Sequence, residues 1–200
     1  SNNLKVCYID DFADQTLGIT TTNLAGFGAT VGMGITAAVT GVLPGTGTTA
    51  VFTGYVKGII TGVTNDTGGA STVDVKIVSR VSSAGVETKI DYAEGNGFAS
   101  FDTSDSVFFT SDVGGITTAR TPATVVDWYD QQTLGLTNST VYWSTLAPKP
   151  GTSVYVSDRQ GKNDQLHIAV VDDTGDVTGI KGNVLEKHVD LSKASDTVSN

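Results

Sequence analysis

The chain has 200 residues, which is enough for one domain with a substantial hydrophobic core or for two small domains. Its net charge is -9 with only 12 lysines and arginines in the whole chain, so nucleic acid and anionic membranes are poor candidate partners. The single cysteine, Cys7, excludes an internal disulfide framework and fits a reducing compartment. Abundant Val, Thr, Ile and Gly favour strands and turns over helices.

The first predicted element is a strand over Asn3–Ile9, in which apolar and other side chains alternate before Asp10 and Asp11 end it. No residue from Gln15 to Val56 is charged, and residues 25–40 alternate between apolar side chains and a face of Gly and Thr. This period of two predicts an extended strand or a hairpin. A membrane-inserting segment is the less favoured alternative, because a spanning helix needs about 20 predominantly apolar residues.

The middle of the chain continues the strand pattern. Ala50–Thr64 predicts one or two strands, whose candidate core residues are Phe52, Tyr55, Val56, Ile59, Ile60 and Val63. Thr72–Val81 alternates between apolar and polar side chains, and we expect it to form a hairpin with Val86–Tyr92. A short strand is predicted at Val107–Thr110.

The clearest helix signal begins at Thr121 and Pro122, which are typical of a helix cap and a first helical position. Val125, Trp128 and Tyr129 follow at helical spacing, with Gly135 as a possible end. Four more strands are predicted after it, with a tight turn at residues 172–176: Val141–Leu146, Ser153–Ser157, Gln165–Asp172 and Asn183–Val189.

These elements predict a mainly β fold with a few short helices (α+β), arranged as a β-sandwich-like domain with long insertions. We expect a single domain over residues 1–200, with a core formed by residues 1–14 and 121–200. Residues 15–120 would elaborate that core. The chain begins almost inside a strand and ends in a polar run over residues 192–200, so we expect it to be a piece of a longer protein.

Five aspartates occupy positions that could carry chemistry: Asp10, Asp11, Asp172, Asp173 and Asp176. Paired carboxylates can bind Ca²⁺ or share acid and base roles, but the last three lack the length and distant Glu of an EF-hand. Asp and Gly are also the ordinary residues of strand turns. His167, His188 and Cys7 are too few ligands for a structural zinc site. From these observations together we predict no catalytic, cofactor-binding or metal site, and no enzyme.

Aromatic residues are concentrated in one part of the sequence: Trp128, Tyr129, Tyr142, Trp143 and Tyr155. Exposed together, they could stack on sugar rings, which leaves a carbohydrate-binding or adhesin-like β module as an alternative function. Aromatic side chains are more often core or interface anchors, because they bury a large area. A hydrolase that uses two of the aspartates is a third and less favoured alternative.

Four motifs in the last third of the chain occur in a fixed order: DWYDQQTL, WSTLAPKPGT, GKNDQLHIAVVDDTGDVTG and GNVLEKHVDLSKASD. Together they make residues Thr121–Asp196 resemble the tail sheath protein of T4-like contractile-tailed bacteriophages. The opening NNLKVCYIDD is similar to the segment that follows a Trp-Gly pair in that family. The segment from Gln15 to Val56 does not align with it.

The resemblance implies a late structural protein of the virion tail, assembled in the cytoplasm of the bacterial host. Sheath subunits polymerise around the tail tube and contract, which drives the tube through the host envelope for genome delivery. The implied partners are neighbouring sheath subunits and, for the full-length protein, the tail tube and baseplate. Family members are joined by terminal extensions outside this region, so we expect the present chain alone to be a monomer.

Overall fold

The computed structural model describes residues 4–20, 29–42, 51–64, 71–89, 100–111 and 114–195. Its strands are β1 Leu4–Asp10, β2 Gln15–Ile19, β3 Gly34–Val42, β4 Val51–Thr64, β5 Ser71–Ser82, β6 Glu87–Lys89, β7 Val107–Ser111, β8 Gly114–Arg120, β9 Pro122–Asp127, β10 Gln165–Asp172 and β11 Asn183–Ser192. The helical elements are two 3-10 turns, Tyr129–Gln131 and Trp143–Thr145, and one helical turn, α1, Val154–Ser157. The prediction of a mainly β fold with a few short helices is confirmed.

The chain divides into two compact units. Unit 1 combines Ser1–Phe12 with Tyr129–Asn200, and unit 2 is the intervening segment Ala13–Trp128. Within unit 2, the first and last strands, β2 and β9, pair antiparallel. The backbone N–H of Trp128 also donates to the carbonyl of Asp14 at 3.0 Å. The chain therefore enters and leaves unit 2 at neighbouring points.

Unit 2 is built on one antiparallel sheet in the order β8-β7-β3-β4-β5-β2-β9, with β6 paired to β5. The two ends of this order, β8 and β9, are separated in sequence by Thr121 alone. Consecutive Cα atoms lie about 3.8 Å apart, so the last residue of β8 and the first of β9 must be close in space. The sheet therefore curls until its two edge strands meet at one corner.

Alternation along the strands of unit 2 places one apolar face inside the curl. On β5 the side chains of Val73, Val75 and Ile77 are buried, as the sequence predicts. The alternation predicted for residues 25–40 is confirmed on β3, where Ile35 and Ala37 are buried. These side chains belong to one hydrophobic cluster with members from most of the unit's strands. The predicted alternation is wrong at Val31, which precedes the strand and is exposed, and residues 25–28 lie outside the described residues.

The alternation along β4 shows that part of the core predicted for this strand is wrong. Val56 and Ile60 are fully buried, whereas Tyr55 and Ile59 are exposed. Neighbouring residues of a strand point to opposite faces, so an apolar run cannot be buried on both sides when only one face is covered. Val63 packs against the core as a partly buried residue, and the side chain of Phe52 lies outside the described residues.

The hairpin predicted for β5 is present in part. Glu87–Lys89 pairs antiparallel with β5 at Ser79–Val81, and residues 90–92 of the predicted strand lie outside the described residues. The longer partner of β5 is β4, which pairs with it from Gly54 to Thr64. The strand predicted near residue 107 is confirmed as β7.

The helix predicted from Thr121 is wrong. Pro122–Asp127 forms β9, which pairs with β2, and only the 3-10 turn Tyr129–Gln131 follows it. Pairing with β2 supplies β9 with the hydrogen bonds that a helix would have made internally, and its Thr and Val residues favour extended backbone. Gly135 does adopt a left-handed conformation, with φ 60°, but in a loop and not at a helix end.

Two predicted strands of unit 1 are also wrong. The segment Val141–Leu146 contains a single bridge, between Tyr142 and Thr133, followed by the 3-10 turn at Trp143. Val154–Ser157 is helical because the Ser153 hydroxyl caps it, accepting from the backbone N–H of Val156 at 3.2 Å. A side-chain acceptor at the cap favours a helical turn over an extended backbone.

Unit 1 contains a three-stranded antiparallel sheet in the order β1-β10-β11. The strands predicted at Gln165–Asp172 and Asn183–Val189 are confirmed, and the second extends to Ser192. β10 is the central strand, with His167, Ala169 and Val171 buried on one face. The edge strand β1 buries Cys7 and Ile9 on that face, because they pair with Ala169 and His167.

Candidate functional site

The sheet register separates the aspartates that could have formed one carboxylate site. Asp10 pairs with Leu166 and Leu4 pairs with Asp172, so Asp10 and Asp172 lie at opposite ends of the three-stranded sheet. Six residues of strand place these ends about 20 Å apart. Asp10–Asp11 and Asp172–Asp173 therefore cannot act on one substrate or bind one ion together.

The Asp172 carboxylate organises the turn between β10 and β11. One oxygen accepts from Gly175 N–H at 2.9 Å, and the other accepts from Val177 N–H at 3.0 Å and Thr178 N–H at 2.7 Å. The Thr178 hydroxyl donates to the second oxygen at 2.9 Å. Burial raises the pKa of this carboxyl, but the bonds from Thr178, Val177 and Gly175 outweigh burial and hold its pKa below the usual value.

Asp173 anchors a different loop. Its oxygens accept from the backbone N–H and the hydroxyl of Thr137, each at 2.8 Å. These bonds lower the pKa of the Asp173 carboxyl, burial opposes them, and the charge of Lys5 adds to the lowering. Asp176 accepts from the Thr174 hydroxyl within the same turn. All three carboxylates are engaged in holding loops, which is the structural role weighed for them in the sequence.

Asp10, the last residue of β1, and Asp11, which follows it, both form ion pairs. Asp11 contacts Lys149 at 3.3 Å, with both side chains largely buried, and Asp10 contacts Lys193 at 3.2 Å with both partly exposed. Each pair joins the end of β1 to a segment more than 130 residues away in sequence. These contacts engage both carboxylates in holding distant segments of the chain.

The sequence did not predict the contacts of the buried carboxylate of Asp164. This carboxylate accepts from the backbone N–H of Ser153 at 2.8 Å and from that residue's hydroxyl at 2.9 Å, and the Ser192 hydroxyl also donates to it. Burial raises the pKa of Asp164, but the bonds from Ser192 and Ser153 outweigh it and lower the pKa overall. No local sequence motif predicts these hydrogen bonds, because Ser153, Asp164 and Ser192 come from separate parts of the sequence.

The two histidines lie in different environments. His167 is fully buried, while His188 is exposed on β11 with Glu186 at 3.5 Å. The two ring nitrogens of His167 contact the carbonyl of Pro148 and the backbone N–H of Asp190. In the described part of the chain, no three His, Cys, Asp or Glu side chains come together as a potential metal site.

The aromatic group does not form a common exposed face. Trp128, Tyr129 and Trp143 are buried. The Tyr129 hydroxyl donates to the carbonyl of Ala147 at 2.8 Å, and burial together with the charge of Asp190 raises the pKa of Tyr129 to about 12. Tyr142 and Tyr155 retain partial exposure. Three of the five side chains on which a sugar platform would depend are therefore occupied in packing.

The most exposed apolar strand surface lies on β1. Leu4, Val6 and Tyr8 point away from the buried face of the strand, and Val6 and Tyr8 are 67% and 74% exposed. We call these three residues the β1 strip. Val170 and Ile168 lie opposite Val6 and Tyr8 and extend the apolar character onto β10, whereas Asp172 lies opposite Leu4. Exposed apolar side chains that cluster in this way mark surfaces for protein contacts.

Unit 2 has exposed apolar side chains of its own. Tyr55 and Ile59 on β4 and Phe108 on β7 point outwards from the curled sheet. Lys57 lies between the two β4 residues and pairs with Glu87 at 3.6 Å. Charged and apolar side chains are therefore mixed on this face, whereas Leu4, Val6 and Tyr8 follow one another along one face of β1 with no charged side chain between them.

No protein-family model matches the chain, and no curated protein or solved structure matches it either. The resemblance to tail sheath proteins is therefore a prediction from the sequence alone. Among the described residues, no helix combines the length and apolar character required to cross a bilayer.

Proposed function

We propose that this chain is a structural piece of a contractile tail sheath subunit, which works by contacts between copies of itself. The observation that carries the proposal is the order and spacing of the four motifs between residues 127 and 196. In this function, free energy would be stored in the subunit contacts of an extended lattice and released as the subunits rearrange. The parts of the tail that the complete protein would contact are the tube and the baseplate.

The β1 strip supports the proposal because it offers an apolar contact surface on an edge strand. Its three side chains are few compared with the roughly 20–30 residues that each partner contributes to a stable interface. The strip would therefore bind a neighbour only together with other contacts of a lattice. This is consistent with a monomeric piece and an assembling complete protein.

The first test is the reading frame that contains this chain and its neighbouring genes. The proposal expects a frame several times this length beside a gene for a tail-tube protein. A frame that ends close to this chain, or that lies among genes for sugar metabolism, would contradict it. Light scattering of the 200-residue chain provides the second test, with a monomer expected; stable rings or tubes would refute the prediction that this piece cannot assemble.

A carbohydrate-binding module is the competing function, and Tyr142 and Tyr155 remain partly exposed for it. Tyr155 is already covered on one face, because the Arg159 guanidinium lies 3.7 Å from its ring centroid. A glycan array separates the two functions. Specific binding that is lost in Tyr142→Ala would favour the module, and an array without specific binding would favour the sheath.

A further inference from the structure

The pairing of β10 with β11 has a β-bulge at His167. The irregularity lies between two regular pairs, Leu166 with Leu191 and Ile168 with His188. Val189 and Asp190 of β11 therefore face the single residue His167, which is the two-against-one arrangement of a bulge. Asp190 is left-handed, with φ 57°, a conformation that few residues other than glycine adopt. The bulge thus removes the N–H of a left-handed residue from the regular ladder.

The His167 ring satisfies the backbone group that the bulge displaces. The N–H of Asp190 donates to Nδ1 at 3.0 Å, and Nε2 lies 2.8 Å from the carbonyl oxygen of Pro148. A carbonyl only accepts, so Nε2 must carry the hydrogen, and an N–H only donates, so Nδ1 must present its lone pair. The geometry therefore uses the neutral ring in one tautomer, at a fully buried position.

We propose that His167 is a pH-sensitive contact that holds Asp190 in the bulge and releases it when the ring gains a second proton. A proton on Nδ1 would face the N–H of Asp190, which places two donors against each other with no acceptor between them. The left-handed conformation of Asp190 then loses the contact that maintains it. Histidine is the side chain that most often acts as a pH switch in proteins, so the contact is tested between about pH 7.5 and about pH 5.

Other titratable groups lie on the elements around the ring. They are Cys7 on β1, Tyr129 on the first 3-10 turn, Lys149 beside Pro148, and Lys187 and Asp190 on β11. Lys149 is paired with Asp11, and Lys187 donates to the carbonyl of Leu146 at 2.6 Å. His188 pairs with Ile168 and so lies on the opposite face of the sheet. Tyr129 remains protonated between about pH 5 and about pH 7.5, since its pKa is raised to about 12 by burial and by the charge of Asp190. His167 differs from these groups because its own ring nitrogen accepts the hydrogen bond from the backbone N–H of Asp190 in the bulge.

The opening would remain local to the bulge. Immediately beyond it, the Ser192 hydroxyl donates to Asp164, and the backbone N–H of Lys193 donates to the carbonyl of Asp164 at 2.8 Å. The pKa of the Asp164 carboxyl is lowered despite its burial, so this contact keeps its charged acceptor above the ordinary Asp pKa of about 3.9.

The test is amide hydrogen exchange of the complete 200-residue chain, measured by NMR at about pH 7.5 and about pH 5 and corrected for intrinsic rates. We expect protection of the Asp190 amide to fall more than tenfold at the lower pH, while amides of Ala169 and Val171 keep theirs. His167→Gln should remove this response, because glutamine offers an acceptor and a donor without titrating. His188→Gln is the matched control and should leave the response unchanged.

Equal protection of Asp190 at both pH values would overturn the proposal, as would loss of the response in His188→Gln. If His167→Gln does not fold, the ring nitrogen signals of the unmodified chain replace it. The expected result is that ring protonation and loss of Asp190 protection follow the same titration. A ring that gains its second proton while Asp190 stays protected, or one that remains neutral down to about pH 5, would reject the proposal.

Discussion

Unit 2 and unit 1 are both antiparallel β structures, but different interactions hold them. In unit 2, buried apolar side chains from most strands form one hydrophobic cluster inside a curled sheet, and the buried Asp14 carboxylate adds one polar contact by accepting from the Ile77 N–H at 2.7 Å. Unit 1 has a three-stranded sheet, and its loops depend on buried polar side chains, above all Asp164, His167 and Asp172. Non-directional packing tolerates small displacements, whereas each buried carboxylate requires its donors at specific positions. The two units should therefore respond differently to cavities, to added volume and to acid.

The chain provides a separate optical probe for each unit. Trp128 belongs to unit 2 and Trp143 to unit 1, both are buried, and there are 2 tryptophans in total. In Trp143→Phe the fluorescence reports on unit 2, and in Trp128→Phe it reports on unit 1. The stability of each unit is therefore measured in the variant that keeps the tryptophan of that unit.

The largest effect is expected from a cavity in unit 2. Ile60 is fully buried, so Ile60→Ala should lower the free energy of unfolding of unit 2 by about 2–5 kcal/mol. Chemical denaturation followed by Trp128 fluorescence measures it. Ile59→Ala is the matched control, because Ile59 is the preceding residue and is 42% exposed. Similar losses in the two variants would show that β4 does not bury one face only.

A smaller effect is expected from added volume at Gly58. A Cβ there would lie 2.5 Å from Cγ1 of Val75 and 3.2 Å from Cγ2 of Ile35, inside the core. Gly58→Ala should therefore destabilise unit 2 by about 1–3 kcal/mol, measured by the same denaturation. Gly151→Ala, followed by Trp143 fluorescence because Gly151 belongs to unit 1, is the control, since its nearest neighbour would be Gln165 Oε1 at 3.8 Å, an ordinary contact. A stabilising Gly58→Ala would contradict the close packing described for β3, β4 and β5.

Acid should affect unit 1 more than unit 2. The pKa values of Asp164, Asp172 and Asp173 are all lowered in the folded chain by hydrogen bonds that outweigh burial. Their stabilisation is present above the ordinary Asp pKa of about 3.9 and is lost as the pH falls through the lower folded-state values. In unit 2 the shifts oppose each other: burial raises the pKa of Asp105, while bonds from Ser104 lower that of Asp102.

The variant that sharpens this comparison is Asp172→Asn. Its amide group would place N–H donors against N–H groups of the turn, so unit 1 should be less stable at neutral pH and lose less further stability in acid. Glu186→Gln is the control, because the Glu186 side chain is 66% exposed. Thermal melting followed by Trp143 fluorescence between about pH 7 and pH 2 measures both. Equal acid sensitivity in Asp172→Asn and in the unmodified chain would contradict the role given to this carboxylate.

Sequence periodicity predicted the interior of unit 2 well where one face is covered. The alternation at Val73, Val75 and Ile77 gave the buried face of β5 correctly. It failed at Thr121–Gly135, because the helix signal there is local whereas β9 is specified by pairing with β2, about 110 residues earlier. A single sequence contains no direct sign of such a long-range pairing.

The polar anchors of unit 1 were only partly accessible from the sequence. The turn at Asp172 was predicted from its Asp and Gly residues, and the structure adds that the carboxylate itself holds the turn. The contacts of Asp164 with Ser153 and Ser192 and the bulge at His167 were not predicted, because each joins residues that only the folded chain brings together. The β1 strip was visible as an alternation, but the sequence did not reveal which face is exposed.

The most direct test of the proposed sheath function is electron microscopy of the complete protein from which we expect this chain to derive. The account predicts tubes or stacked rings from the unmodified protein. It also predicts their loss in Val6→Asp, which places a charge in the β1 strip, and their retention in Val154→Asp, which changes an equally exposed residue outside the strip. A complete protein that stays monomeric under conditions that assemble contractile tails would contradict the sheath function.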